Sequence, residues 1–457
     1  MDDRFSPRLH EILEESVCGP ELTEGTLERL ADFLVPFAES MTEPEQRTHT
    51  REYVQGLLSK LERKTGESIA YFQDQDRQGM QKYLGQVPWD HQPLLKTLAK
   101  QVGERIGAAD GVIVFDPSAF AKKGTKSVGV KRQWCGRWGK VDNGQVGVFM
   151  GYVSRQEHAL VDMRLFLTTD WAGDRKRRLA AGVPAETKFQ TRHELALEML
   201  DAQGKSLPHA WVTGDDEMGR PAEFREALRE RGENDLLAVP SNTLVRDLEV
   251  EPPPYGGRGR PSARPFRRVK TWCAALPDAA WTKLDVRDGE KGPLVIEAVK
   301  CPVTAKLGAA AGPEELLFAT RELQSDGSYK RDYYLAHTDT NNGSLMELAR
   351  VAKAEHRVEE CIKRCKGEAG MADYQVRNWI GWHHHIALSL LAMWFLIGEV
   401  QRGKKTYPRA DRSTPPRPDR ERARRPARVQ PAGQRPTPGN PLAATKRTST
   451  LLPLPRA

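Results

Sequence analysis

Apolar residues recur every three or four positions through the first hundred residues of the chain. This spacing places them on one face of an α-helix, so it predicts amphipathic helices. The clearest runs are Leu27, Leu30, Phe33, Leu34 and Phe37, followed by Leu95, Leu98, Val102 and Ile106. We interpret residues 1–108 as a helical domain.

Beyond residue 110 the pattern changes to short continuous apolar runs, which are typical of buried strands. These runs are GVIVFD (111–116), VGVFMGYVS (146–154), ALVDMRLFL (159–167) and AWVTGD (210–215). A helix is predicted over 191–202, and another begins near Pro221, since proline is favoured in a first helical turn. Strands mixed with helices predict an α/β core.

Residues 235–338 form a stretch in which most segments resemble strands, and beyond residue 344 the pattern is helical again. Within the strand-rich stretch lies a basic loop, PPPYGGRGRPSARP (252–265). The sequence therefore predicts the first part of an α/β core over 109–234 and a β-rich insertion over 235–338. The closing helices of the core follow over 339–400.

The last segment, residues 401–457, differs from the rest in charge and composition. It holds fifteen basic and three acidic residues, so its net charge exceeds the net charge of +8 of the whole chain. It also contains 11 of the 31 prolines. Too few large apolar residues are present to offset the entropy of ordering, so a disordered tail is predicted. Such a tail either attracts polyanions without specificity, is solvated without a role, or is a frameshifted end.

Cysteine usage and apolar run length indicate the compartment. The six cysteines include no CxxC pair, which suits free thiols in a reducing cytoplasm, and the N-terminus has no apolar signal segment. The longest apolar run, residues 386–397, is too short to span a bilayer. A cytoplasmic protein without membrane contact is expected.

Acidic residues stand at the ends of two predicted strands. Asp116 ends the first, and Asp215 with Asp216 ends the other. Ligand sites of α/β sheets form at such strand ends. Neighbours along a strand point to opposite faces, so Asp215 and Asp216 cannot serve one site equally, and the pattern leaves open which does.

A third acid comes from the helix predicted over 351–368. Val358, Cys361, Ile362 and Cys365 form its apolar stripe. Glu360 lies nearly opposite that stripe, whereas Glu359 lies at its flank and can reach inward. Three converging carboxylates need counter-charge, and Mg²⁺ or Mn²⁺ is the cation that oxygen ligands favour. Two such ions are the usual device for in-line attack on a phosphodiester.

Four motifs between about residues 80 and 400 carry a family resemblance. They are FDPSAFAKKGTKSVGVKRQWCGRWGKVDNGQVGVF (115–149), LFLTTDWAGDRKRRLAAGVPAETKFQTRHELA (165–196), AWVTGDDEMGR (210–220) and AEHRVEECIKRCKGEAGMADYQVRNWIGWHHHIALSLLA (354–392). Together they resemble the DDE-type insertion-sequence transposases, close to the insertion-sequence 701 family. The resemblance implies an RNase H-like catalytic core, a helical N-terminal domain that binds element ends, and two Mg²⁺ ions for which Mn²⁺ can substitute.

The resemblance also implies which acids hold the metal. It assigns Asp116, then Asp216 because that residue stands three before the glycine of the turn, and then Glu359, which precedes Lys366 by seven. Met218 stands where the family usually has tyrosine. The tyrosine and arginine of a related Tyr–Arg–Glu–Lys signature fall on Ala352 and Glu355, and Arg357 is near enough to replace that arginine.

Further residues are candidates for contacts with double-stranded DNA. Basic side chains near the first aspartate predict a nucleic-acid surface, unless they form a solvated loop. Trp272 and Trp281 are candidates for stacking on a flipped base, with core packing as the alternative. His383, His384 and His385 are consecutive, so they splay around a helix and do not predict a metal site. The basic candidates are Lys122, Lys123, Lys131, Arg132, Arg357 and Lys366.

The sequence as a whole predicts a bacterial, nucleoid-associated DNA transposase. It would bind terminal inverted repeats, cleave the element ends by two-metal hydrolysis, and join the 3′ ends to target DNA, as a homodimer on that DNA. The alternatives are a catalytically inactive DNA-binding descendant and a metal-dependent endonuclease without strand transfer.

Overall fold

The computed structural model describes residues 23–406, except 136–138, 256, 258–262, 290–291, 339–342 and 374–376. The predicted tail lies outside the described residues from 407 onward. Its first six residues are described, and they continue a helix instead of leaving the fold at 401. The boundary of the predicted tail therefore moves to residue 407.

The N-terminal region is helical, as the apolar spacing predicts. Its helices are α1 (Thr26–Ala38), α2 (Pro44–Leu57), α3 (Gly66–Phe72), α4 (Arg77–Gly85) and α5 (Gln92–Ile106). Leu30, Leu34 and Phe37 of α1 are buried, whereas Leu27 of the predicted stripe is exposed. All apolar positions predicted for the second run, from Leu95 to Ile106, are buried along α5.

Five strands form the part of the sheet that belongs to the predicted core. They are β1 (Val112–Ala121), β3 (Lys140–Val153), β4 (His158–Phe166), β5 (Trp211–Gly214) and β6 (Asp235–Ala238). The order across the sheet is β4, β3, β1, β5, β6. β3 is antiparallel to both β4 and β1, while β5 and β6 run parallel to β1, which is the RNase H-like arrangement. A short strand, β2 (Lys131–Cys135), pairs antiparallel with the first residues of β3.

Along the chain, helices follow β4 and β5 and connect each of them to the next strand of the core. They are α6 (Thr169–Gly173), α7 (Arg175–Ala180), α8 (Arg192–Gln203), α9 (Asp216–Gly219) and α10 (Ala222–Glu230). α8 begins with a capping box, in which the Thr191 side chain accepts from the Glu194 N–H and the Glu194 carboxylate accepts from the Thr191 N–H. This box fixes the start of α8 one residue after the predicted start at 191.

The β-rich insertion is continuous with the core sheet. Its elements are β7 (Leu244–Asp247), β8 (Arg267–Arg268), α11 (Val269–Ala274), β9 (Thr282–Gly289), β10 (Gly292–Leu307), β11 (Ala310–Leu323) and β12 (Tyr329–His337). β12 pairs antiparallel with β6, so twelve strands of the described chain form one sheet. Because β6 pairs in parallel with β5, it belongs to the core, and the insertion begins after residue 238 instead of at 235.

Three helices close the fold: α12 (Leu345–Ala352), α13 (Ala354–Gly367) and α14 (Trp379–Thr406). α13 packs against β1, β3, β4 and β5, whereas α14 packs against β4 and the N-terminal helices. The stretch Trp379–Gly403 of α14 is long and apolar enough to cross a membrane, but its most apolar window is 89% buried inside the protein. The core helix of a globular protein can have the same length and apolar composition, and the burial of α14 is that of a core helix.

Candidate active site

Two aspartates meet where β5 ends beside the middle of β1. The prediction that Asp116 ends its strand is wrong, because β1 continues to pair with β3 as far as Ala121. The parallel register places Phe115 opposite Gly214, and the next residues along the two strands are Asp116 and Asp215. Partners in a parallel register lie side by side, about 5 Å apart, with side chains on the same face. Both aspartates are half-buried, and the charge of Asp215 acts on the Asp116 carboxyl.

Asp216, the acid that the resemblance selects, is placed differently. Asp215 caps α9, with its Oδ1 accepting from the Met218 N–H at 3.0 Å, and Asp216 is the first residue of that helix. The side chain of Asp216 is 54% exposed and pairs with Arg220 at 3.3 Å. The start of α9 therefore turns Asp216 toward solvent, and the structure favours Asp215 as the partner of Asp116.

The position of α13 is fixed at two points on β1 and β3. A Cβ atom added to Gly151 would lie 2.5 Å from a methyl group of Val358, so the helix packs directly on the strand backbone. Further along, the Lys366 ammonium donates to the Ser118 hydroxyl at 2.8 Å and to the Ala119 carbonyl at 2.9 Å. These two contacts set the rotation of the helix.

Glu359 lies on the side of α13 that faces the aspartates. Its negative charge acts on the Asp116 carboxyl, although its own side chain is 73% exposed and stands 3.7 Å from His356. Glu360 is exposed, as the helix geometry predicts. The structure thus brings Asp116, Asp215 and Glu359 to one edge of the sheet.

The electrostatics of this edge are those of crowded carboxylates. Burial raises the pKa of Asp116 to about 8, and the charges of Asp215 and Glu359 add to the effect, with Lys366 opposing it. Burial likewise raises the pKa of Asp215 to about 6, against the stabilising hydrogen bond from the Met218 N–H. The nearby cation, Lys366, does not offset the effect of burial and of the neighbouring carboxylates on the pKa of Asp116.

A further acid, Glu355, was not among the candidates for the site. It stands four residues before Glu359, on the same face of α13, and is half-buried. Burial raises its pKa to about 8, and the charges of Asp215, Asp116, Glu359 and Asp332 contribute in that order. The sequence signal was present: Glu355 occupies the position where the related signature has arginine, but it was treated only as a departure.

This set of side chains fits divalent metal. The groups are carboxylate oxygens from two adjacent strands and one helix, which are the ligands that Mg²⁺ and Mn²⁺ prefer. Burial and the neighbouring carboxylates raise the pKa values of Asp116, Asp215 and Glu355, and a divalent cation would supply counter-charge to these groups. Asp116, Asp215, Glu355 and Glu359 are therefore the residues that could hold the metal.

Of the predicted basic contacts, Lys122 and Lys123 follow the end of β1, and Lys131 and Arg132 lie on β2. Lys123 and Arg132 are exposed, and Lys131 pairs with Asp170. Lys122 follows the end of β1, and burial lowers its pKa to about 8. These residues lie where the end of β1 and the start of β2 pair with opposite edges of β3, and Ala121 at the end of β1 is about 17 Å of strand from Asp116.

Arg357 does not face the acids. Its guanidinium donates to the Ser154 carbonyl at 2.8 Å, and Ser154 follows Val153, which pairs with Val112 at the start of β1. Four residues of strand, about 13 Å, separate that level from Asp116. The predicted substitution of Arg357 for the signature arginine is therefore not supported by its placement, whereas Lys366 is close to Asp116.

Arg192 is a basic residue at the site that the sequence reasoning missed. It pairs with Glu217, donates to the Gln133 side chain at 3.2 Å, and lies over the Phe166 ring. The charge of Glu217 acts on Asp116, so this ion pair lies beside the carboxylates. Arg192 lies within the motif of residues 165–196, which is part of the family resemblance.

Both tryptophans proposed for base stacking are buried in the insertion. Trp272 and Trp281 are each only 7% exposed and belong to its hydrophobic cluster. Trp272 donates to Asp247 at 2.7 Å, and Asp247 also lies within reach of Glu249 and Cys301. This placement favours the alternative of core packing for both.

The three consecutive histidines serve packing, as their spacing predicts. His384 stacks on Trp89 with ring centroids 3.6 Å apart, and His385 contacts the Tyr53 hydroxyl at 2.8 Å. Burial lowers the pKa values of His383 and His385 to about 3 and that of His384 to about 4. These neutral side chains join α14 to the N-terminal helices.

Comparison with known proteins shows the family of the chain. A sequence model of the DDE superfamily endonucleases matches residues 36–293. A probable transposase for insertion sequence element IS701 from Microchaete diplosiphon is 30% identical over 201 residues, which are 42% of this chain and 49% of that protein. The chain thus spans about half the length of this curated relative. A piggyBac transposase synaptic complex with hairpin DNA aligns over 80% of this chain and 67% of its own, with 10% identity and a TM-score of 0.39.

Proposed function

Since the chain belongs to the DDE superfamily endonucleases, we propose that it is a transposase that cuts DNA at the ends of its element and joins the freed 3′ ends to target DNA. The observation that carries the proposal is the meeting of Asp116, in the middle of β1, with Asp215, at the end of the parallel strand β5, beneath the helix that bears Glu359. These three residues would hold two Mg²⁺ ions, with Asp215 replacing Asp216 of the sequence prediction.

The metal, when bound, would supply Lewis-acid activation of the attacking oxygen and charge stabilisation of the leaving oxygen. The fold of the chain positions the three carboxylates that would bind the metal. Asp116 and Asp215 are held by the sheet register, and Glu359 is held by a helix that Lys366 anchors to β1. Lys122, Lys123 and Arg132 would attract the phosphate backbone toward this edge, and the Lys366 ammonium offers a positive charge beside Asp116.

The partners of the proposed reaction are double-stranded DNA and a second copy of the chain. The helices over residues 23–106 would contact the terminal inverted repeats, and a homodimer would pair the two ends before joining them. Such a protein would act on the bacterial nucleoid, in the cytoplasm. The fold class supports only the catalytic part of this scheme, and the assembly is inferred from the reaction.

The direct test is a gel assay with purified protein, its own element ends and a target plasmid. Cleavage and strand joining should both require Mg²⁺ or Mn²⁺ and should vanish with EDTA or with Asp116→Asn. Glu360→Gln, an exposed neighbour on α13, is the matched control and should retain both activities. Cleavage without joining would identify an endonuclease that lacks strand transfer, and binding without cleavage would identify an inactive descendant.

A further inference from the structure

Basic residues are concentrated in two segments that meet on one side of the core. Residues 122–132 contain five basic residues and no acidic residue, and residues 169–180 contain four basic and two acidic residues. We propose that Lys126 of the first segment, together with Arg175 and Lys176 of α7, forms a contact surface for the phosphate backbone of duplex DNA, named here the α7 face. The inference rests on the proposed function for the nature of the partner, and it adds a surface that lies away from the carboxylates.

Arg177 of α7 holds the two segments together. Its guanidinium donates to the Thr125 carbonyl at 2.9 Å and to the Val130 carbonyl at 3.2 Å. The same group lies over the ring of the buried Trp171, 3.8 Å from the ring centroid, and the indole N–H of that residue donates to the Val130 carbonyl at 2.9 Å. Because Thr125 and Arg177 each stand next to a basic residue of the α7 face, these contacts bring its two parts to one surface.

The basic side chains of the α7 face are directed to solvent. Lys126, Arg175 and Lys176 are all exposed. Among the described residues, none of the three has a side-chain hydrogen bond or an ion pair. A group of like charges that the chain leaves unpaired creates a positive potential over the surface and attracts a polyanion.

The acidic residues beside the α7 face do not neutralise it. Asp170 pairs with Lys131, and Asp174 caps α7, with its Oδ1 accepting from the Arg177 N–H at 2.9 Å. The adjoining loop of residues 184–189 contains one acidic and one basic residue, so it adds no net charge. The surface formed by the two segments therefore stays positive.

The distance of the α7 face from the carboxylates favours an extended partner. Ala121, at the end of β1, is about 17 Å of strand from Asp116, and Lys126 follows it in the loop that leads to β2. A small anion cannot reach both places. Duplex DNA carries one negative charge per about 1.7 Å of its axis, so a duplex with a phosphodiester at the carboxylates also offers phosphates to the α7 face.

A salt titration of DNA binding in EDTA tests this surface without relying on cleavage. The probe is a short duplex unrelated in sequence to the element ends, and the full-length protein is used so that the tail contributes equally to every measurement. The variant is Lys126→Gln/Arg175→Gln/Lys176→Gln. Its slope of log affinity against log salt concentration should be shallower by at least about 1.8, since each lost phosphate contact removes about 0.9.

The matched control removes the same net charge from exposed lysines on other elements. It is Lys205→Gln/Lys283→Gln/Lys306→Gln. Its slope should change by less than about 0.9, the contribution of a single phosphate contact. Both variants should keep the wild-type unfolding temperature, because the exchanged side chains are exposed. Equal slopes for the two variants would overturn the inference and identify the α7 face as a solvated surface.

Chemical footprinting of the wild-type protein locates the contact directly. Acylation by an amine-reactive reagent, followed by mass spectrometry, should be slower at Lys126 and Lys176 when the duplex is bound, and unchanged at Lys205 and Lys306. Unchanged acylation of the first pair at saturating duplex would overturn the inference. Neither measurement depends on catalysis. An unprotected α7 face in a protein whose cleavage is abolished by Asp116→Asn would leave the proposed function standing, whereas a protected face in a protein that cleaves no element end would reject the proposed function alone.

Discussion

At the residue scale, the acid that follows Gly214 decides the geometry of the site. Asp215 continues the strand register beside Asp116, and its side chain also caps α9. Asp216 is already helical and points toward Arg220. One residue of difference thus separates the proposed ligand position from a surface position, because the strand ends at Gly214 and the helix begins at Asp216.

Exchanging each aspartate for asparagine tests this assignment. Asp215→Asn should reduce strand cleavage by at least about a hundredfold, since it removes a charged ligand from the metal centre. Asp216→Asn should stay within about fivefold of the wild type, because an exposed ion pair is worth no more than about 1 kcal/mol. The measurement is the rate of cleavage of a labelled element end at saturating Mg²⁺. A larger loss for Asp216→Asn would restore the sequence prediction and reject the assignment made from the register.

At the element scale, the contact between α13 and β3 positions the glutamates. Gly151 allows Val358 to lie against the strand backbone, and a Cβ atom has no room between them. Interiors packed at this density respond to a single added methyl group. The glycine is therefore needed for close approach, and its effect should extend from packing to the metal ligands carried by the helix.

Gly151→Ala should lower the free energy of unfolding by about 1–3 kcal/mol, the usual cost of an overpacked core. It should also weaken Mn²⁺ binding, since α13 must shift away from the aspartates. Gly367→Ala, at the end of the same helix, meets no atom within 4 Å and serves as the control. That control should be neutral or stabilising by up to about 1 kcal/mol. Urea unfolding measures both variants, and equal midpoints would show that the Gly151 contact is not tight.

At the scale of the whole molecule, the repelling carboxylates link stability to pH. The pKa values of Asp116 and Glu355 are raised to about 8 and that of Asp215 to about 6, far above their values in an unfolded chain. The folded protein therefore holds protons that the unfolded chain releases. The stability that these groups contribute is complete below about pH 4 and is lost as the pH rises through about 8.

Without metal, the urea midpoint should fall between about pH 5 and pH 8, and Asp116→Asn should make that fall shallower because asparagine does not titrate. Measurements in EDTA at four or five pH values are sufficient. A slope in Asp116→Asn that matches the wild type would show that Asp116 does not titrate in this interval.

Truncation tests the role of the tail, whose prediction rests on composition. Since α14 extends to Thr406, removal of residues 407–457 should leave folding and cleavage intact. Nonspecific DNA binding should weaken and lose part of its salt dependence, because most of the tail's basic groups are removed. A salt titration of binding checks this, with the cleavage assay as control. An insoluble truncated protein would show that the tail is structural, and unchanged salt slopes would show that it does not touch DNA.

The helical N-terminal region and the order of strands and helices in the core were predictable from the amino-acid sequence, whereas β1 continues past the predicted end at Asp116 to Ala121. The two predictable features follow from local periodicity, which neighbouring residues encode. The core character of Trp272 and Trp281 stayed open at that stage, because burial depends on what packs from elsewhere. Only the fold placed both inside the insertion.

The tertiary structure decided which acids meet. The choice of Asp215 depends on its register against β1, a pairing between residues about one hundred positions apart. The inclusion of Glu355 depends on how α13 is rotated by its contacts with Gly151 and Ser118. Membership of β6 in the core depends on its parallel pairing with β5. Local patterns define elements and their faces, whereas the distances between side chains on different elements arise only when the sheet and helices are packed together.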